Sequence, residues 1–326
     1  MSFSIKIVRI ALLIVLISTY SAFAEKRQLT LKDLQGSWYK SSFLDVLQKT
    51  KSVHRAVFGV HFVAFEITGD RQFERYNWLL IYNFHEGINR QLTGISIVDD
   101  HTYSLVCTDC YENTHFKLLS TDVLCFSQGP EFKRIHNFAS YVNEMTVSGV
   151  YVNDQGQIYF FYKNGLSLWP DDKFYYEVGL DQVFYPADYI KIKNRKDESG
   201  YPLIYFFKAT ETSLELFEAV YEEDGIPVQA KELILKLSRY EKEFCHYLDD
   251  GRFQHLEAQS KEQLKLLRNE IFARHRHSFD SSDMRSYFNN QPWYHEYKDH
   301  KVSIDELSEA ELKVLKKIQN LEKNEK

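Results

Sequence analysis

The chain reads as an α+β protein: an N-terminal antiparallel β domain, barrel-like or sandwich-like, followed by a small helical domain. From about Leu34 to Leu237, short aromatic or β-branched runs alternate with turn residues. After Arg239 the hydrophobic period changes from two to about 3.6. The 24 phenylalanines and 22 tyrosines far outnumber the four tryptophans, and such rings favour half-buried pleated surfaces.

In chain order the first element is a leader. Met1–Arg9 carries Lys6 and Arg9 and no acid, Ile10–Ile17 is apolar, and Ala22-Phe23-Ala24 places small residues where a signal peptidase cuts. A spanning helix needs roughly 20 apolar residues, which this stretch lacks. The expectation is a cleavable signal peptide over residues 1–24, no membrane span after its removal, and a product exported to the periplasm or the medium. Cleavage moves the formal charge from −6 to −8. The chain from Glu257 onward is charge-balanced, so the acid lies in the β region. A net-acidic body argues against nucleic acid as partner, because phosphate binding requires neutralising cations.

The β domain is expected over residues 25–250. Its strand runs are Val60–Ile67, Trp78–Phe84, Leu92–Val98, Tyr103–Cys107, Val123–Phe126, Gln157–Tyr162, Phe174–Val178, Tyr189–Ile192, Leu203–Phe207 and Leu214–Tyr221. Turn signals such as Asn153-Asp154-Gln155-Gly156, Asn164-Gly165 and Asp224-Gly225 separate them. With more than eight runs, one large barrel and two stacked β units both fit, and no internal repeat is evident. Short helical interludes fall at Phe43–Lys49 and Asn137–Met145. Leu34-Gln35-Gly36-Ser37-Trp38-Tyr39 resembles the Gly-x-Trp strand that opens lipocalin-like barrels, which favours a barrel over a sandwich. Four cysteines in an exported chain, Cys107, Cys110, Cys125 and Cys245, predict two disulfides. A redox pair at Cys107-Thr108-Asp109-Cys110 lacks the helix N-terminus that would lower the thiol pKa.

The helical tail is expected over residues 256–322. Ser260-x-x-Gln263 and Ser308-x-x-Glu311 form capping boxes, each ahead of an apolar stripe: Leu264, Leu267, Ile271, then Leu312, Leu315, Ile318. The segment Leu264–Phe279, centred on Phe272-Ala273-Arg274-His275-Arg276 and followed by Tyr287-Phe288 and Pro292-Trp293-Tyr294, resembles the YARHG domain. That family is a small helical module appended to exported bacterial proteins, and the resemblance implies location and module type with no cofactor. Phe272 stands where the motif has tyrosine. Arg276 replaces the motif's glycine at the helix end, where a left-handed residue is expected and arginine costs on the order of 1 kcal/mol.

Arg268, Arg274, His275 and Arg276, with Trp293 and Tyr294, are the candidate binding cluster, directed at a cell-envelope polymer or another exported protein. No metal or catalytic residue is expected. His85-Glu86 lacks the second histidine of a zinc-protease helix, and neither a Gly-x-Ser-x-Gly elbow nor a phosphate-cradling glycine loop occurs. The leading expectation is a non-catalytic envelope or secreted binding protein. The alternatives are a barrel that carries a small apolar ligand and, third, an envelope-polymer hydrolase.

Overall fold

The computed structural model describes residues 29–58, 63–70, 75–82, 86–99, 101–107, 114–127, 129–181, 185, 187–222 and 225–324. The leader, His85 and Cys110 lie outside these residues. The β region is two eight-stranded barrels in tandem, each closed by pairing of its first and last strands. The first contains β1 (Gly36–Lys40), β2 (Ala64–Asp70), β3 (Arg75–Tyr82), β4 (Glu86–Ile97), β5 (Tyr103–Cys107), β6 (His115–Ser120), β7 (Val123–Phe126) and β8 (Glu131–Arg134). The second contains β9 (Gly149–Val152), β10 (Ile158–Phe161), β11 (Leu166–Leu168), β12 (Lys173–Val178), β13 (Tyr189–Lys196), β14 (Pro202–Ala209), β15 (Ser213–Tyr221) and β16 (Pro227–Arg239). All neighbours are antiparallel, as short hairpin connections require. The expected Gly-x-Trp strand does open a barrel, and of the two arrangements the sequence allowed, the paired one is adopted.

Four helices belong to the barrels: α1 (Leu31–Leu34), α2 (Ser41–Thr50), α3 (Val53–Val57) and α4 (Phe138–Met145). Helix α4 matches the expected interlude, and α2 contains the other.

Both barrels close with the same device. In the first, the Trp38 indole is fully buried and its Nε1–H donates to Leu34 O at 2.8 Å. Arg134, its register partner on β8, lies 4.4 Å over the ring and donates from Nη2 to Asp33 O at 2.6 Å. In the second, Tyr151 is equally buried and its hydroxyl donates to Val147 O at 3.0 Å. Arg239, its register partner on β16, lies 5.2 Å over the ring and donates from Nη2 to Ser148 O (3.0 Å) and Tyr151 Oη (3.1 Å). Each ring follows, two residues on, a glycine that starts the strand: Gly36 at φ +129° and Gly149 at φ +156°. A Cβ on Gly149 would sit 3.0 Å from Arg239 Nη1, so the bare backbone makes room for the guanidinium.

Both lumens hold aromatic side chains. In the first barrel Phe65 meets Trp38, Phe126 and Phe132 with ring centroids 6.0, 5.8 and 5.1 Å away. In the second, contacts run from Phe161 to Tyr176 (5.7 Å) and Trp169 (6.4 Å), and from Trp169 to Tyr205 on β14 (6.2 Å). Helices α2 and α3 leave the first barrel and join the core of the second, where Phe43, Leu47 and Val53 share a buried cluster with Tyr176, Ile190 and Leu216. Asp188 at the second barrel's rim accepts from His54 N at 2.8 Å, which caps α3 and ties the barrels together.

The helical region follows as α5 (Glu241–Phe244), α6 (Gly251–Gln254), α7 (Lys261–Arg274), α8 (Ser282–Asn289) and α9 (Glu309–Asn324), with 3₁₀ turns at Cys245–Asp249, Leu256–Ala258 and Ile304–Glu306. Both expected stripes face the same core, formed by Leu264, Leu267, Ile271, Leu315 and Ile318 with Leu312 at its edge. Among the described residues no helix is long and apolar enough to cross a membrane.

The two-disulfide expectation holds only in part, for Cys107 is disulfide-bonded. Cys125 and Cys245 are free thiols, one on β7 of the first barrel and one in the helical region beyond the second. Each has settled on a local oxygen: Cys125 Sγ lies 3.7 Å from Gly129 O, and Cys245 Sγ 3.6 Å from Ser308 Oγ.

The barrel-closing device predicts a graded response to added methyl groups. Gly149→Ala should destabilise the protein by about 1–3 kcal/mol, through its backbone angle and its crowding of Arg239. Gly251→Ala, whose added carbon meets nothing within 4 Å, should stay within about 0.5 kcal/mol. Urea unfolding midpoints separate the two, and equal midpoints would count against the device.

Candidate functional site at the barrel–helix junction

Strand β10 and the residue after it carry four consecutive aromatics, Tyr159-Phe160-Phe161-Tyr162, and all four are buried. Alternation sends Tyr159 and Phe161 into the lumen and Phe160 and Tyr162 outward. An unbroken apolar run marks a strand covered on both faces. Here the outer cover is the helical region, with Tyr240 and Phe244 packed on Phe160, Tyr162, Val150 and Leu168.

Helix α7 ends against this surface. Arg276 N donates to Ala273 O at 2.9 Å and His277 N to Phe272 O at 3.3 Å, the paired bonds of a Schellman ending. Arg276 takes the left-handed position at φ +62°, so the strain expected from replacing glycine is accepted. What offsets it is contact with the barrel. The guanidinium donates to Trp169 O (3.2 Å) and Ile158 O (3.5 Å) and lies 5.7 Å over the Phe160 ring.

One residue earlier, His275 is 2% exposed. Its Nδ1 lies 3.1 Å from the Tyr162 hydroxyl, and its Nε2 lies 2.9 Å from Glu311 Oε1. Glu311 is completely buried. It also accepts from the Tyr247 hydroxyl (2.6 Å) and from Ser308 N and Oγ (2.8 Å each) in the expected capping box. Burial pushes this carboxyl up, but the charge and hydrogen bond of His275, with Tyr247 and Ser308, outweigh burial and hold it at about 2. Glu311 is therefore a carboxylate, and the His275 Nε2–H donates to it. Burial, reinforced by Glu306 and Glu311, pushes the Tyr162 phenol well above its ordinary range and keeps it protonated. Burial and then Glu311 push the Cys245 thiol up to about 11, away from the thiolate a nucleophile needs.

Two clefts open along the junction. The larger, about 650 Å³, is lined by His275, Glu311, Tyr162, Cys245 and Arg239 among others. The smaller, about 210 Å³, is lined by Phe160, Tyr247, Arg274, Arg276, Trp293 and Glu243 among others. Arg274 is stacked between Trp293 (3.7 Å) and Tyr247 (4.8 Å) and donates to Glu270 at 2.9 Å.

The structure thus brings Arg274, Arg276 and Trp293 of the expected cluster together in the smaller cleft, while His275 faces the larger one. Arg268 is turned away and pairs with Glu322 of α9 at 2.7 Å. Tyr294 is buried with Phe279 and Phe288, and its hydroxyl donates to His277 O at 2.6 Å. Sequence reasoning missed Phe160, Tyr162 and Tyr247; the unbroken aromatic run was the available signal for the first two. Among the described residues, no group of three or more His, Cys, Asp or Glu side chains gathers in metal-holding geometry.

Residues 243–323 match the YARHG domain family, a quarter of the chain. The match starts earlier than the sequence resemblance and takes in Phe244, Cys245 and Tyr247. The domain is typical of exported proteins. No curated protein and no solved structure matches the chain.

The depressed Glu311 carboxyl has a pH consequence. Its folded value, about 2, lies below its ordinary 4.5, so ionisation favours the fold above about pH 4.5. That contribution, on the order of 3 kcal/mol, is lost as pH falls toward 2. Glu311→Gln should lower the melting temperature at pH 7 and flatten the acid limb between pH 4.5 and 2, read by circular dichroism. An unchanged acid limb would show that another carboxylate governs it.

Proposed function

We propose that this is an exported, non-catalytic binding protein of the cell envelope, which takes an anionic group of an envelope polymer in the smaller junction cleft. The observation that carries this reading is the setting of Arg276, whose guanidinium bonds to neutral carbonyls. Its guanidinium is largely buried, and burial lowers its pKa. Its bonds go to two neutral carbonyls, and among the described residues no carboxylate forms an ion pair with it; Asp171 acts only through longer-range attraction. A half-desolvated cation in an aromatic cleft favours an anionic guest. Arg274, fixed between two rings, adds a second donor.

The larger cleft supports a structural role for its histidine. Both ring nitrogens of His275 are engaged, the Ser308 hydroxyl donates to Glu311, and the Cys245 thiol is held protonated. A nucleophile with a free base beside it would favour the hydrolase reading, and these three residues do not supply one. The ring contacts across the second barrel likewise speak against a carrier role for that barrel. The leader segment and the domain's usual setting support export.

The test is co-sedimentation of the full mature chain with purified cell-wall sacculi. Wild type should be retained and released by salt, since exposed charge contacts are screened. Arg276→Ala should lose at least about tenfold in retention, the size of one charged hydrogen bond. Lys236→Ala, exposed on β16, should be unchanged. Absence of retention, or retention indifferent to Arg276, would sink the reading.

A further inference from the structure

We infer that the guest of the smaller cleft is a monocarboxylate on a compact apolar body, either a small free acid or the C-terminal residue of a peptide. This rests on the binding reading above and specifies its ligand. Size comes first. A cavity of roughly 150 Å³ accommodates benzene, so 210 Å³ takes a unit of about eight to ten non-hydrogen atoms. That is one aromatic acid or one amino-acid residue, too small for a run of polymer.

Charge comes second. Arg274 is balanced by Glu270, a nearly buried carboxylate that also receives Arg252 at 3.2 Å. Arg276 is the cation of this lining that no described carboxylate contacts as an ion pair, which suits a monoanion, and Glu243 on the lining opposes a dianion such as phosphate. Geometry comes third. A guanidinium has five N–H donors, and two of those on Arg276 are spent on Trp169 O and Ile158 O. Three remain for a planar acceptor, and a carboxylate matches that fork better than a tetrahedral anion does. Finally, Phe160 and Trp293 give the cleft apolar walls for the body attached to the carboxylate.

The experiment is calorimetric titration of the full mature chain with benzoate, N-acetylalanine, N-acetylalanine amide and inorganic phosphate. Benzoate and N-acetylalanine should bind in the millimolar to submillimolar range expected for ligands of this size. The amide and phosphate should bind at least tenfold more weakly. Arg276→Ala should abolish the preference. Arg276→Gln, which keeps an N–H donor group and removes the charge, repeats the test should the alanine variant not fold. Binding of benzoate alone assigns the free acid, and binding of both acids assigns a chain terminus; either supports the inference. Phosphate or the amide binding as tightly as benzoate would overturn it, as would carboxylate binding that survives Arg276→Gln. Retention on sacculi without carboxylate preference leaves the binding reading standing and removes this one; carboxylate binding without retention does the reverse.

Discussion

Glu311 is a carboxylate sealed from water, and the arrangement of the junction follows from the groups that keep it charged. Stripping an ion of water costs several kcal/mol unless hydrogen bonds replace the lost solvent. Here Ser308, Tyr247 and His275 replace it. Each brings a different element: Ser308 the start of α9, Tyr247 the 3₁₀ turn after the second barrel, His275 the end of α7. The carboxylate that caps one helix therefore fixes where another must stop. Because His275 spends its second nitrogen on Tyr162, the same chain of bonds passes to the outer face of β10. The helical region is held on the barrel by polar bonds at its centre and by Phe160 and Phe244 packed around them.

The barrels depend on a comparable constraint. An eight-stranded barrel closes only if its first and last strands meet in one register. In both barrels an arginine on the last strand covers the aromatic ring of its register partner and bonds the backbone just before the first strand. The ring in turn is tied to a carbonyl four residues earlier. The repetition lies in contacts more than in letters: Trp38 corresponds to Tyr151, and Asp33 O to Ser148 O. A search for repeated sequence passes over it for that reason.

This also explains what could be read in advance. Capping boxes and apolar stripes are local, so Ser260–Gln263, Ser308–Glu311 and the faces of α7 and α9 were legible. So was the α+β class, since the change of hydrophobic period near Arg239 is large. The division into two barrels was hidden because closure rests on β8 and β9, each of four residues, with β8 reading Glu-Phe-Lys-Arg. The pairing of Cys125 and Cys245 was misjudged because an even count says nothing of distance. In the candidate site, Arg274, Arg276 and Trp293 stood out as a motif, but their companions Phe160 and Tyr247 come from outside it. Only the fold brings them together.

Arg276 is where local and global preference part. The helix ending calls for a left-handed residue, and glycine meets that need at least cost. Arginine there gives up about 1 kcal/mol of backbone comfort. In return the chain gains two carbonyl contacts on the second barrel and a guanidinium over Phe160. A glycine-bearing domain of the same family would have no side chain to reach the barrel from that position. The charged cleft is thus a property of this pairing of barrel and helical module, made by the one residue that departs from the motif at its end. Function read from the module alone would miss it, because Ile158 and Phe160 of β10 and Tyr240 complete the cleft's wall from outside the module.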